Sequence, residues 1–192
     1  MNGKNLINQK VIQEKIIFQT ITKTGKEITF RYPTIDDAQI LTEYINTISA
    51  EKTFIIFQGE QKTLADEKKW IESFLNNKNT KVIVFAFINR QLVGVSDIDL
   101  KSGAKCNVGS FGITVAKEFR GEGIGKTLME LTISESIKNI KDLKIIELEV
   151  FGSNIVAKNL YKKLGFIEFG CLPKSLKRKE DFDDAILMYK KV

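Results

Sequence analysis

With 192 residues, 43% of them apolar and 28% charged, the chain has enough hydrophobic material for a packed core and too much for a disordered one. It contains no histidine and only two cysteines, Cys106 and Cys171, which excludes Ser–His–Asp and Cys–His nucleophilic systems and leaves no metal-spaced cluster. Its 30 basic and 24 acidic side chains leave a surplus of +6 without a run of five like charges, a mixed surface that suits a polyanionic cofactor and gives no particular reason to expect nucleic acid. The longest apolar run, Val82 to Ile88, falls far short of the roughly 20 residues of a membrane-spanning helix. The polar start of the chain lacks the apolar stretch of a secretory signal. The expectation is a cytoplasmic protein off the membrane: a flexible segment 1–14, then a single domain over 15–192.

The elements read in chain order as follows. IIFQTI and EITFRY flank the turn TKTGK and form a hairpin. Thr34, three residues before Asp37, is an N-cap pair opening a helix through Ile48; Thr63 and Asp66 repeat it before a helix carrying Trp70, Ile71, Phe74 and Leu75. VIVFAFI and LVGVSDIDL form a second hairpin about Asn89–Gln91. From Ser110 the pattern alternates: strand to Val115, helix from Gly123 to Asn139 with a stripe of Ile124, Leu128 and Leu131, strand from Lys144 to Val150, helix from Asn154 to Leu164. In the second of those strands Ile146, Leu148 and Val150 share one face, Glu147 and Glu149 the other. Gly165 is placed to end the last helix. Two final strands, around Phe166–Phe169 and Ala185–Tyr189, flank a basic loop. The order predicts an α/β fold: a mixed, mostly antiparallel central sheet with helices on both faces.

The strongest chemical signal is Arg120-Gly121-Glu122-Gly123-Ile124-Gly125-Lys126, which follows a strand and opens a helix. Glycines let successive amides turn into one concavity, and the helix N-terminus adds partial positive charge, so the loop is built for phosphate. A dinucleotide fingerprint would need a glycine where Lys126 stands. A Walker A loop would need a glycine at Arg120 and far more chain than the 65 residues that follow Thr127. The third pattern, [QR]-x-x-G-x-[GA], is met at Arg120, Gly123 and Gly125.

Two further motifs accompany it. Asn154, Ala157, Leu160, Tyr161, Gly165 and Phe166 complete N-x-x-A-x-x-L-Y-x-x-x-G-F, and Arg31, Pro33 and Asp37 match R-x-[AP]-x-x-x-D. With these three motifs in order, the chain from Arg31 onward resembles the GNAT-type N-acetyltransferases. The resemblance implies an acyl-CoA N-acyltransferase fold, acetyl-CoA as acetyl donor and no metal. It implies that the backbone of Ile113, Thr114 and Val115 pairs with the pantetheine arm. Arg120, Gly121, Glu122, Gly123, Ile124, Gly125 and Lys126 would surround the pyrophosphate, and Asn154 would bond the cofactor. For Asn154, an N-cap of the following helix is an equally natural reading.

Acetyl transfer needs a neutral amine, and a lysine amine titrates at about 10.4, so a base or water path is useful. The resemblance places the acid that protonates the departing thiolate at Tyr161; packing beside the apolar stripe is the alternative. Glu149 stands five residues before Asn154 and twelve before Tyr161, a spacing similar to that of the ribosomal-protein N-terminal alanine acetyltransferases, where the glutamate is the proposed base. Its alternative is a solvated strand face. The segment from Ser49 to Lys62 does not follow those enzymes closely. Without histidine to activate either cysteine, direct transfer in a ternary complex is expected over a covalent acetyl-cysteine. A cofactor-binding sensor module and a P-loop-like nucleotide binder are the alternative functions, and a homodimer is one assembly the sequence leaves open. The acceptor is an amine of unspecified class, and Ser49–Lys62 and the loop Leu172–Phe182 are expected to choose it. Four cations in the loop Leu172–Phe182 would attract an acidic acceptor or partner and repel a polyamine, with a merely solvated hairpin as the alternative.

Overall fold

The computed structural model describes residues 15–192, so the expectation of a flexible 1–14 lies outside the described residues. Eight strands form one sheet in the order β1-β2-β3-β4-β5-β6-β8-β7. The strands are β1 (Ile16–Ile21), β2 (Glu27–Arg31), β3 (Lys81–Ile88), β4 (Gln91–Leu100), β5 (Val108–Val115), β6 (Ile145–Phe151), β7 (Ile167–Arg178) and β8 (Asp181–Lys191). Only β5 and β6 pair in parallel; every other neighbouring pair is antiparallel.

The core is organised by β3, all eight of whose residues are buried. A strand buried on both faces has no polar side to show, which is why its sequence is continuously apolar. Val82, Val84 and Ala86 join one apolar cluster with Leu128, Met129 and Ile133 of α3 (Ile124–Asn139). Ile83, Phe85 and Phe87 join the opposite cluster with Leu41 and Ile45 of α1 (Ala38–Ala50) and Ile71 and Phe74 of α2 (Leu64–Asn76). Helices therefore cover both faces, α1 and α2 on one, α3 and α4 (Ile155–Lys163) on the other.

Both expected N-cap pairs are present. Thr34 donates its amide and hydroxyl to Asp37 Oδ2 at 2.6 and 3.1 Å, and a short 3₁₀ turn, Ile35–Asp37, precedes α1. Thr63 Oγ1 accepts from the Asp66 amide at 3.2 Å while Asp66 Oδ2 accepts from the Thr63 amide at 3.0 Å, a reciprocal capping box. Arg31 forks onto Asp37 through two bonds of 2.8 and 2.7 Å and lies over the Phe87 ring at 4.1 Å. The first upstream motif thus ties β2 to α1. Gly165 stands at φ +86°, the left-handed position that ends α4.

Two expectations change. On α3 the fully buried line runs through Ile124, Leu128, Met129, Thr132, Ile133 and Ser136, whereas Leu131 is half-buried. Ile124 and Leu128 of the expected stripe are buried, and wedged against a sheet the helix continues that face through Thr132 and Ser136 rather than Leu131. The basic loop is mostly strand: β7 runs to Arg178 and β8 begins at Asp181, joined by a two-residue turn in which Lys179 has φ +56°. A break in register between Leu172 and Leu176 bends the hairpin at Pro173. Polar residues in a two-stranded extension need no buried face, so their composition reads as loop. No helix among the described residues is long and apolar enough to cross a membrane.

Candidate active site

The site begins with a defect in the sheet. β5 and β6 are in register only at Val108–Ile145, Gly109–Ile146 and Ser110–Glu147. Beyond these pairs both strands continue, β5 to Val115 and β6 to Phe151, without pairing to each other. On its far edge β5 stays paired with β4 through Gly94–Val115. The edge of Phe111–Val115 that faces β6 is therefore open, and it includes Ile113, Thr114 and Val115. Thr114 Oγ1 accepts from the Tyr44 hydroxyl at 3.0 Å, tying this stretch to α1.

Just past the open strand stands the glycine loop. Gly121 and Gly123 have φ of +84° and +87°, and Gly123 is the N-cap of α3. Nothing lies within 4 Å of a Cβ built on Gly121, and on Gly123 such an atom would meet only Lys23 Cε at 3.9 Å. The protein's own packing does not demand glycine at either place; the backbone conformation does, and the space is left clear for a ligand. Among the described residues nothing accepts the amides of Gly121, Glu122, Gly123, Ile124 and Gly125, whereas the Lys126 amide donates to Gly123 O at 3.1 Å. Free amides at a helix N-terminus, beside an open strand edge, fit a pyrophosphate followed by an extended arm with amide groups.

Not every side chain of the loop serves that concavity directly. Arg120 donates from Nη2 to Glu51 Oε2 at 2.8 Å and from Nε to Val115 O at 2.9 Å, bracing the loop against α1 and the end of β5. Glu122 accepts from the Thr24 amide and hydroxyl at 3.1 and 3.0 Å, clamping the loop to the first hairpin. Lys126 is exposed, 3.6 Å from Glu130 one turn on.

A cavity of about 430 Å³ opens where the strands part. Phe111, Gly112, Ile113 and Thr114 line it, and so do Glu149, Asn154 and Tyr161. Asn154 caps α4, its Oδ1 accepting from the Ala157 amide at 3.1 Å, which leaves the side-chain NH₂ without a protein partner among the described residues. The cap and a contact with a bound arm are therefore compatible. Tyr161 is the buried residue of α4, its ring packed edge-on to Phe111 and tilted against Phe166. Burial pushes its hydroxyl up to about 12, and no protein group bonds it.

Glu149 is exposed on the opposite side of the sheet from Tyr161. Level with it across the gap, two residues past the last registered pair, is Gly112, and Gly112 pairs directly with Asp97 of β4. A Cβ on Gly112 would approach Asp97 Oδ1 to 2.9 Å, so the glycine makes room for that carboxylate. Two carboxylates thus flank a residue without a side chain, at the place where the sheet opens. Burial pushes the Asp97 carboxyl up to about 7, with Lys81 opposing and Asp99 reinforcing the shift. Sequence reasoning did not single out Asp97, one of two acids, with Asp99, in the strand Gln91–Leu100. The segment Ser49–Lys62, expected from the sequence to help choose the acceptor, does reach the cavity, through Phe54, Ile55, Ile56, Phe57 and Lys62. Arg178 of the basic hairpin stacks over Phe54 at 4.8 Å, and of that hairpin only Leu176 reaches the cavity wall. Cys106 and Cys171 are both exposed, and neither lines the cavity.

The chain is similar to several known acetyltransferases. Over 79 residues it is 42% identical to an uncharacterized N-acetyltransferase of Methanocaldococcus jannaschii; the match covers 41% of this chain and about half, 48%, of that protein. Among solved structures, an acetyltransferase of the GNAT family from Streptococcus pneumoniae superposes with a TM-score of 0.80 at 24% identity, covering 86% of this chain and 99% of that one. A Salmonella typhimurium protein described as a putative acetyltransferase with its cofactor acetyl-CoA superposes with a TM-score of 0.76 at 16% identity, covering 85% and 93%. The model of the Acetyltransferase (GNAT) family matches residues 43–166, from α1 through the glycine loop to the Phe166 that closes the last motif, and to that family the chain belongs.

Proposed function

We propose that the chain transfers an acetyl group from acetyl-CoA to a primary amine by direct attack within a ternary complex. The observation that carries this reading is a cavity lined by an open strand edge, a buried tyrosine and two carboxylates, with the free amides of the α3 N-terminus just past the end of that strand. The Salmonella structure, described with acetyl-CoA, supports the choice of donor.

When bound, acetyl-CoA supplies an acyl group activated as a thioester. The amides of Gly121 to Gly125 hold its pyrophosphate, the open edge of Ile113–Val115 pairs with its arm, and the Asn154 NH₂ donates to a carbonyl of that arm. Asp97 accepts the proton that the acceptor nitrogen must lose; a base poised near neutrality combines ionisation at working pH with useful proton affinity. Glu149 faces the same mouth from β6 and draws the cationic amine in. As the nitrogen–carbon bond forms and the carbon–sulfur bond breaks, Tyr161 donates its proton towards the sulfur. A hydroxyl near 12 holds its proton until negative charge develops beside it, and a thiolate expelled into the same poorly solvated pocket is itself raised in proton affinity. The absence of histidine does not weaken this scheme, since every proton has an oxygen to carry it.

The test joins binding to turnover. Coenzyme A should raise the melting temperature through mass action and ATP should not, and acetyl-CoA with a panel of primary amines should release free thiol in step with N-acetylated product. Stabilisation by ATP in place of coenzyme A would overturn the reading. Binding without thiol release for any amine would leave a sensor.

A further inference from the structure

Glu67, on the first turns of α2, is 6% exposed and lines the same cavity as Asp97 and Glu149. Its backbone amide donates to Thr63 O at 3.2 Å, and its carboxylate has no hydrogen bond or ion pair with any described residue. Burial raises its carboxyl, with Lys62 opposing and Asp66 reinforcing. Lys62 is the one cation in the cavity lining; its Nζ lies over the Phe57 ring at 5.0 Å and forms no ion pair with Glu67. Asp66 spends its carboxylate on the Thr63 cap. Its oxygens are not sealed in the core but open to the cavity, and a desolvated acid at a cavity wall is where a ligand completes the site. The walls beside it are Leu41, Ile45, Phe57 and Trp70. Apolar and aromatic surface suits a hydrocarbon spacer, and aromatic faces also favour a cation. Within the lining four carboxylates, Asp66, Glu67, Asp97 and Glu149, face one ammonium, so the cavity has the opposite sign to the basic hairpin outside it.

We propose that Glu67 anchors a second positive charge on the acceptor, so that the substrate is a dicationic amine. One nitrogen is presented to Asp97 and Glu149 for acetylation, and an apolar spacer carries the other, still protonated, to Glu67. This rests on the transferase reading above and reverses the expectation drawn from the basic loop, whose cations lie outside the lining.

The test compares diaminobutane and diaminohexane with butylamine and hexylamine as acceptors for the full chain. The wild type should favour each diamine over its matched monoamine by roughly tenfold or more in kcat/KM, the scale of one charge-assisted contact. Glu67→Gln should bring that preference close to one, through the diamine KM and with little change in diamine kcat. Relieved of a partly desolvated acid, the variant should melt no lower than wild type at neutral pH. Equal use of diamines and monoamines by the wild type would overturn the proposal, as would a preference that survives Glu67→Gln. Should the variant fail to fold, the wild-type comparison decides alone. Coenzyme A binding with no turnover of any amine in the series would also overturn it while leaving the donor half of the proposed function intact. Loss of coenzyme A binding would remove both.

Discussion

The proposed division of proton chemistry between Tyr161 and Asp97 can be tested apart from each residue's structural role. Tyr161→Phe keeps the ring against Phe111 and Phe166 and removes only the hydroxyl. Turnover should fall by about 10²–10⁴-fold with acetyl-CoA affinity little changed, measured as kcat against Kd. An unaltered kcat would assign the residue to packing. For Asp97 the signature is in the pH profile. A base must be ionised, so kcat/KM should climb as pH rises through about 7, and Asp97→Asn should abolish that limb and leave only the titration of the acceptor itself. Glu149→Gln should preserve the limb and raise acceptor KM; loss of the limb in Glu149→Gln and not in Asp97→Asn would exchange their roles. Stability moves in the other direction. The folded carboxyl binds its proton more tightly than the unfolded one, so stability is greatest below the unfolded value and declines as pH rises towards about 7. In Asp97→Asn that decline should flatten. Tyr161 and Asn154 were legible because motif spacing binds them to one helix. Asp97 and Glu67 were not. A strand acid reads as solvated and an acid in a first helical turn reads as favourable to the helix dipole, and only pairing with Gly112 or burial at the cavity wall distinguishes them.

Among the elements, the glycine loop carried its meaning in sequence because its geometry is local: positive φ and a helix start are properties of neighbouring residues. The bracing of that loop was not visible, since Arg120 meets Glu51 and Glu122 meets Thr24 across 69 and 98 residues of chain. Gly123→Val tests the loop as a unit. Forcing a β-branched residue to φ +87° costs about 1–2 kcal/mol, a fall of a few degrees in Tm, and the new side chain enters the concavity. Coenzyme A affinity measured by calorimetry should fall by well over tenfold, more than the stability loss converts to. A loss of affinity no larger than that would mean the concavity does not hold the ligand. The closing hairpin shows the converse failure. A charge-rich stretch read as a loop is strand because antiparallel pairing with β8 asks nothing of its side chains, and its Arg178 supports Phe54 from outside the cavity.

For the whole molecule, the order of elements was enough for a mixed α/β sheet with helices on both faces, because alternating apolar periods and turn signals determine layers. What no periodicity reports is where two neighbouring strands stop touching. With three registered pairs between β5 and β6, the sheet consists of two plates, β1 to β5 and β6 to β8, joined by a short seam. Backbone groups left open on Phe111–Val115 exchange with solvent until something extended lies along them. A donor that fills the seam acts as a borrowed strand, so its arrival should slow amide hydrogen exchange across Phe111–Val115 while the β3–β4 amides scarcely change. Exchange unaltered along Phe111–Val115 in saturating coenzyme A would show that the arm lies elsewhere. The seam also imposes a sequence of events. An amine entering first meets a mouth with one wall missing, and only the donor supplies that wall. The kinetics should therefore be ordered, donor first and coenzyme A last to leave, with coenzyme A competing against acetyl-CoA and not against the amine.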